Sequence, residues 1–67
     1  MKFNEQLHET RLSKGLTAQQ MSEALEISLR AYRFYESGHR EPNLSTLCKI
    51  ADVLGVTTDY LLCRNSL

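Results

Sequence analysis

The sequence predicts an all-α fold of five short helices around one compact core. Three observations carry that expectation. Helix starts (Ser, Thr or Asn) and stops (Gly) recur along the chain. Apolar residues return at intervals of three and four, and strand signals are nearly absent. Finally, 67 residues, 42% hydrophobic and 24% charged, fit one soluble domain spanning residues 1–67. A chain this short buries only about 60% of the surface its unfolded form exposes, which leaves little room for an enclosed active site.

A first helix fits from about Phe3 to Lys14. Phe3, Leu7 and Arg11 share one face, and Gly15 stands where the chain takes positive φ past the helix end. Arg11 on an otherwise apolar stripe reads either as a snorkelling side chain or as the partner of a buried acid. Thr17-Ala18-Gln19-Gln20 is a capping box that opens the second helix, whose inner face is Met21, Ser22 and Leu25. Ser28 caps a third helix that runs to about Ser37, with Gly38 as its stop. Pro42 closes an exposed loop, His39-Arg40-Glu41, and disfavours helix at Glu41. Asn43 caps a fourth helix with an apolar stripe of Leu44, Leu47, Ala51 and Leu54, Ile50 beside it, and Gly55 at its end. Cys48 is expected to pack along this helix. Thr57 caps a short fifth helix that turns Tyr60 and Leu61 inward, with Asp59 near the positive end of its dipole. The tail, Cys63 to Leu67, is expected to fray.

The middle pair, about residues 18–37, has the spacing of a helix-turn-helix. Ser22 is small where the two helices must cross closely, and Ile27 plugs the bend. Ala31, Tyr32 and Tyr35 form the inward stripe of the third helix. At 3.6 residues per turn, the outward face is Leu29, Arg30, Arg33, Phe34 and Ser37. Leu29, Arg30, Arg33 and Phe34 are therefore the candidate base-reading residues. Arginine can pair with O6 and N7 of guanine, and leucine can lie against a thymine methyl. Thr17, Gln19, Ser28, Ser37, His39 and Arg40 are the candidate phosphate contacts, at helix N-termini and in the following loop. Formal net charge is zero, but residues 28–40 hold three arginines and one histidine against one acid. The local balance is basic.

The segments RLSKGLTAQQMSEALEIS (11–28) and YESGHREPNLSTLCKIADVLGVTTDYLL (35–62) resemble the phage repressor/Cro-type (xenobiotic-response-element) helix-turn-helix family. The resemblance runs from about Leu7 to Leu62. It includes the Tyr-Glu-x-Gly close of the third helix, the Pro-x-Leu-x-x-Leu opening of the fourth, and the Gly-Val-x-x-Asp-Tyr-Leu-Leu finish. It implies a lambda-repressor-like five-helix domain, in which Arg11 and Glu36 form a buried ion pair between the first and third helices. It also implies a cytoplasmic regulator of the phage or mobile-element kind. Such a protein binds double-stranded DNA as a homodimer, with the C-terminal helix and tail, including Leu62 and Leu67, as the dimer surface.

Four positions depart from the family pattern. Ala18 replaces a glutamine that commonly helps to hold phosphate. Glu26 replaces the glycine of the bend, where left-handed geometry costs about 1–2 kcal/mol. Tyr32 stands for an isoleucine or valine, and Phe34 for a basic or polar groove-facing residue. With zero net charge, these changes predict weaker non-specific DNA affinity than that of a basic relative. They also support a second reading: a protein-interaction module on the same fold, using the Leu29/Phe34 face against a protein partner and binding DNA poorly.

Other functions find little support. No nucleophile has a base and an orienting acid at a recognisable spacing, so no enzyme activity is expected. His8, His39, Cys48 and Cys63 lack metal-ligand spacing, so neither metal nor cofactor is expected, and both histidines read as plain surface residues. The two cysteines are expected to be reduced. No apolar run approaches the ~20 residues of a membrane span.

Overall fold

The computed structural model describes residues 2–64 and forms five α-helices. They are α1 (Phe3–Ser13), α2 (Ala18–Leu25), α3 (Leu29–Ser37), α4 (Leu44–Leu54) and α5 (Thr58–Leu61). α2 packs on α3 and α4, α1 packs on α3 and α5, and α4 packs on α5. The core is Leu7, Met21, Leu25, Tyr32, Leu47, Ile50, Ala51, Leu54 and Leu61, with Phe3, Leu16, Ile27, Tyr35 and Val56 closing its edges.

Side chains start the helices where the sequence places caps. The hydroxyls of Thr17, Ser28 and Thr57 and the Asn43 carbonyl each accept the backbone N–H three residues on. Gln20 completes its capping box by accepting the Thr17 N–H at 2.8 Å. Each bond satisfies a donor that a helix N-terminus leaves without an internal partner.

Four helices end in one pattern: a left-handed residue, then an N–H that reaches back five positions. Gly15 and Gly55 fill the left-handed slot after α1 and α4, and Glu26 and Cys63 fill it after α2 and α5. The reaching bonds are Leu16 N–H to Arg11 O, Ile27 N–H to Ser22 O, Val56 N–H to Ala51 O and Arg64 N–H to Asp59 O. The Glu26 bend thus keeps the left-handed geometry, with φ 58° and ψ 41°. The last of these closures joins Arg64 to α5 across Cys63, at the start of the tail expected to fray. Leu67 and the rest of the tail lie outside the described residues.

Three expectations are corrected. Leu44 is 80% exposed: it sits in the first turn of α4, where a helical side chain leans back over the helix start and away from the following turns. Tyr60 is 50% exposed, while its neighbour Leu61 is fully buried, since one turn of helix can turn only one of them to the core. Cys48 is exposed as well. It lies off the stripe made by Leu47, Ile50, Ala51 and Leu54.

Candidate nucleic-acid interface

α3 is held in place from its inward face. Tyr32 is fully buried, with Ala31 and Tyr35 half-buried beside it. Ser22 is buried at the crossing with α2, and its hydroxyl is returned to Gln19 O at 2.8 Å. Arg11 and Glu36 meet as a forked pair, Nε to Oε2 at 2.6 Å and Nη2 to Oε1 at 3.2 Å. Their side chains are 11% and 12% exposed. Arg11 also donates to Leu16 O at 2.9 Å, the Tyr32 hydroxyl donates to Glu36 Oε2, and His8 Nδ1 lies 2.8 Å from Oε1. Of the two readings of Arg11, the partner of a buried acid is the one the structure contains. His8 is more than a surface residue: with its proton on Nδ1 it donates to that same acid, although its side chain stays half exposed.

The electrostatics of this knot follow from its contacts. Burial pushes the Glu36 carboxyl up, but the hydrogen bonds from Arg11, Tyr32 and His8 outweigh it and hold the group below its ordinary value. The Tyr32 hydroxyl moves far up, first through burial and then through its bond to Glu36. Both shifts favour an ionised Glu36 that accepts from a protonated Tyr32. Asn4 adds a further tie from α1, Nδ2 to Glu36 O at 3.3 Å.

The outward face is arranged differently. Arg30, Arg33 and Ser37 are exposed, whereas Leu29 and Phe34 are half-buried, so the expected apolar pair is only partly available. The Phe34 ring stacks with His39, centroids 5.4 Å apart and planes at 21°. The Arg30 and Arg40 guanidiniums lie 5.6 Å and 5.8 Å from the ring centre. The Arg40 N–H donates to Phe34 O at 3.2 Å, which fastens the loop to the last turn of α3. Ser37 is engaged locally, its hydroxyl donating to Phe34 O and accepting the His39 N–H.

Apart from Leu29 and Arg33, the candidate residues therefore fall into two groups. Arg30, Phe34, Ser37, His39 and Arg40 converge at the C-terminal end of α3. Thr17, Gln19 and Ser28 stand at helix starts, where the hydroxyls of Thr17 and Ser28 serve as caps and the Gln19 amide donates to Glu23 Oε2 at 3.0 Å. That leaves the Ala18 and Gln19 backbone N–H groups, without intrahelical partners, at the start of α2. The sequence marked the residues of the first group but not their convergence on one ring. The i, i+4 spacing of Arg30 and Phe34 was the available signal. Among the described residues no three His, Cys, Asp or Glu side chains group as metal ligands, and no helix is long and apolar enough to cross a membrane.

A small-residue helix crossing, a plugged bend and a second helix with a basic outward face define a helix-turn-helix of the groove-reading type. The helix-turn-helix family model matches residues 7–61, and the chain belongs to that family, in its phage repressor/Cro-type branch. It is 47% identical over 60 residues to the SPbeta prophage-derived HTH-type transcriptional regulator YonR of Bacillus subtilis, covering 90% of this chain and 56% of that protein. It is 41% identical over 64 residues to the cryptic phage CTXphi transcriptional repressor RstR of Vibrio cholerae, covering 96% and 57%. A transcriptional regulator from Listeria innocua superposes with a TM-score of 0.86 at 26% identity, covering 98% of this chain and 62% of that one. The chain spans a little over half the length of the curated relatives named here.

Proposed function

We propose that this chain is a sequence-specific double-stranded DNA-binding module of a transcriptional regulator, repressor-like and of phage or mobile-element type. Residues 1–67 act as a single unit that places α3 in the major groove. Leu29 and Arg33 meet base edges, with Arg30 and Phe34 beside them. The phosphate contacts come from the helix starts at Thr17, Gln19 and Ser28, and from Ser37, His39 and Arg40. One observation carries the reading. Glu36, the acid of residues 28–40, is turned inward and paired, while no ion pair among the described residues uses Arg30, Arg33 or Arg40. The outward face keeps its positive charge although the whole chain is neutral. As a DNA binder it would work in the cytoplasm, with no catalytic role.

The competing reading, a protein-interaction module built on Leu29 and Phe34, requires an open apolar face there. Phe34 instead carries a stacked histidine and two guanidiniums. For assembly we favour a homodimer through the surface beside the C-terminal end of α5. There the exposed Leu44 and Leu62 line an apolar groove with Phe3, Pro42 and Leu47. A symmetric pair reads half-sites about 10 base pairs apart.

Selection of bound duplexes from a random pool, run beside a solution-mass measurement, tests the proposal. The expected result is an enriched palindromic sequence, bound more weakly as salt rises. No enrichment at low salt would contradict it and return the interaction module to first place.

A further inference from the structure

We propose that Phe34 is a positioning residue that gathers Arg30, His39 and Arg40 into one cationic cluster, and that this cluster grips a backbone phosphate of the bound duplex. The proposal rests on the DNA-binding reading above and deepens it. Arg30 comes from the preceding turn of α3, and His39 and Arg40 come from the loop beyond Gly38. Like charges from two segments repel one another and do not converge without an attractive centre. The ring supplies one, because a cation within about 6 Å of an aromatic centroid is drawn to the negative face of the ring. Both guanidiniums meet that distance, at 5.6 Å and 5.8 Å. His39 is stacked on the same ring at 5.4 Å. The backbone bond from Arg40 to Phe34 O sets the loop in register with the ring.

No acid among the described residues forms an ion pair with either arginine. Among the described residues the cluster therefore carries positive charge with no ion-paired counter-charge. A phosphate, with several acceptor oxygens, suits two guanidiniums held within 6 Å of one ring centre. This moves Arg30 from the base-edge face to the backbone contacts, and so separates the two outward arginines of α3. Arg30 is drawn along the helix toward the loop and joins the phosphate grip, whereas Arg33 has no such tether and is left to read a base. It also gives a purpose to the aromatic residue at a position where the family pattern favours a basic or polar side chain. Position 34 organises neighbouring charges in place of adding its own.

The test compares Phe34→Leu, which keeps an apolar side chain but removes the ring, with Phe34→Trp, which keeps an aromatic face. In the free protein, NMR reads the ring-current displacement of the Arg30 and Arg40 δ-protons and the His39 ring protons. In parallel, affinity for a duplex of arbitrary sequence is measured at several salt concentrations. The wild-type and Trp proteins should have displaced resonances and similar affinity. The Leu protein should lose the displacement and bind about fivefold or more weakly, because side chains formerly held in place must be ordered on binding. Arg30→Ala should weaken binding equally on all sequences and lower the salt slope by about one.

Undisplaced resonances in wild type, or full affinity in the Leu protein, would overturn the proposal. So would an Arg30→Ala protein that relaxes preference at a single base pair. A wild-type protein with displaced resonances that binds no duplex at low salt would overturn the DNA reading and the phosphate grip, but not the gathering of cations by the ring. The two failures are thus distinguishable.

Discussion

On its inward face, α3 presents Glu36 to Arg11, Tyr32 and His8, and every hydrogen bond of that knot is made within the chain. On its outward face, the same helix presents Arg30 and Arg33 to solvent without an ionic partner among the described residues. One face spends its charge on the fold, and the other holds charge in reserve for a ligand. Stability and binding should therefore separate by face: inward changes should unfold the protein, and outward changes should leave the fold intact but impair DNA recognition.

The largest effect expected on this basis is that of Arg11→Ala. It strands Glu36 in a site where its side chain is 12% exposed, and denaturant unfolding should register a loss of about 3–5 kcal/mol. Tyr32→Phe keeps the packing but removes the hydroxyl that donates to Glu36. A hydrogen bond to a charged group places that loss at about 1.5–3 kcal/mol, read by the same unfolding curve.

Acid should attack the same knot. The folded-state pKa of Glu36 lies below its ordinary value, because the hydrogen bonds from Arg11, Tyr32 and His8 outweigh burial. Its contribution is thus fully present above that value and is lost as pH falls through the lower, folded-state pKa. Thermal melts should show stability dropping through that acid window, and Glu36→Gln should flatten the dependence.

The bend between α2 and α3 carries strain and an acid close to the outward face. Glu26 sits at φ 58°, a geometry that suits glycine. Glu26→Gly should stabilise the protein by about 1–2 kcal/mol. It should also raise affinity for arbitrary duplexes, since it removes a negative charge next to the proposed phosphate contacts. Thermal melts and DNA titration of one preparation check both halves.

Local chemistry made most of the frame legible in advance. A threonine three residues before a glutamine, a serine after an isoleucine and a glycine after a leucine each specify a helix end by a bond the backbone must make, and those ends formed as expected. The Arg11–Glu36 pair was legible only through the family resemblance, because no periodicity links residues 25 apart. Less legible were positions where tertiary neighbours decide. Leu44 keeps the helical period of its stripe yet lies past the end of the core. Tyr60 and Leu61 compete for one inward direction. Cys63 takes a left-handed conformation that its side chain does not announce. The outward face of α3 was legible residue by residue but not as a set. Nothing local in His39 or Arg40 indicates that the loop folds back over Phe34.

The division between faces is tested most directly at Arg33. The measurement is selection of bound duplexes by wild-type and Arg33→Ala proteins side by side, with unfolding free energy determined on the same samples. Arg33→Ala should stay within about 0.5 kcal/mol of wild-type stability, as exposed positions do, and lose its preference at one base pair of each half-site. An Arg33→Ala protein that is equally stable and selects the same sequence as wild type would contradict that division.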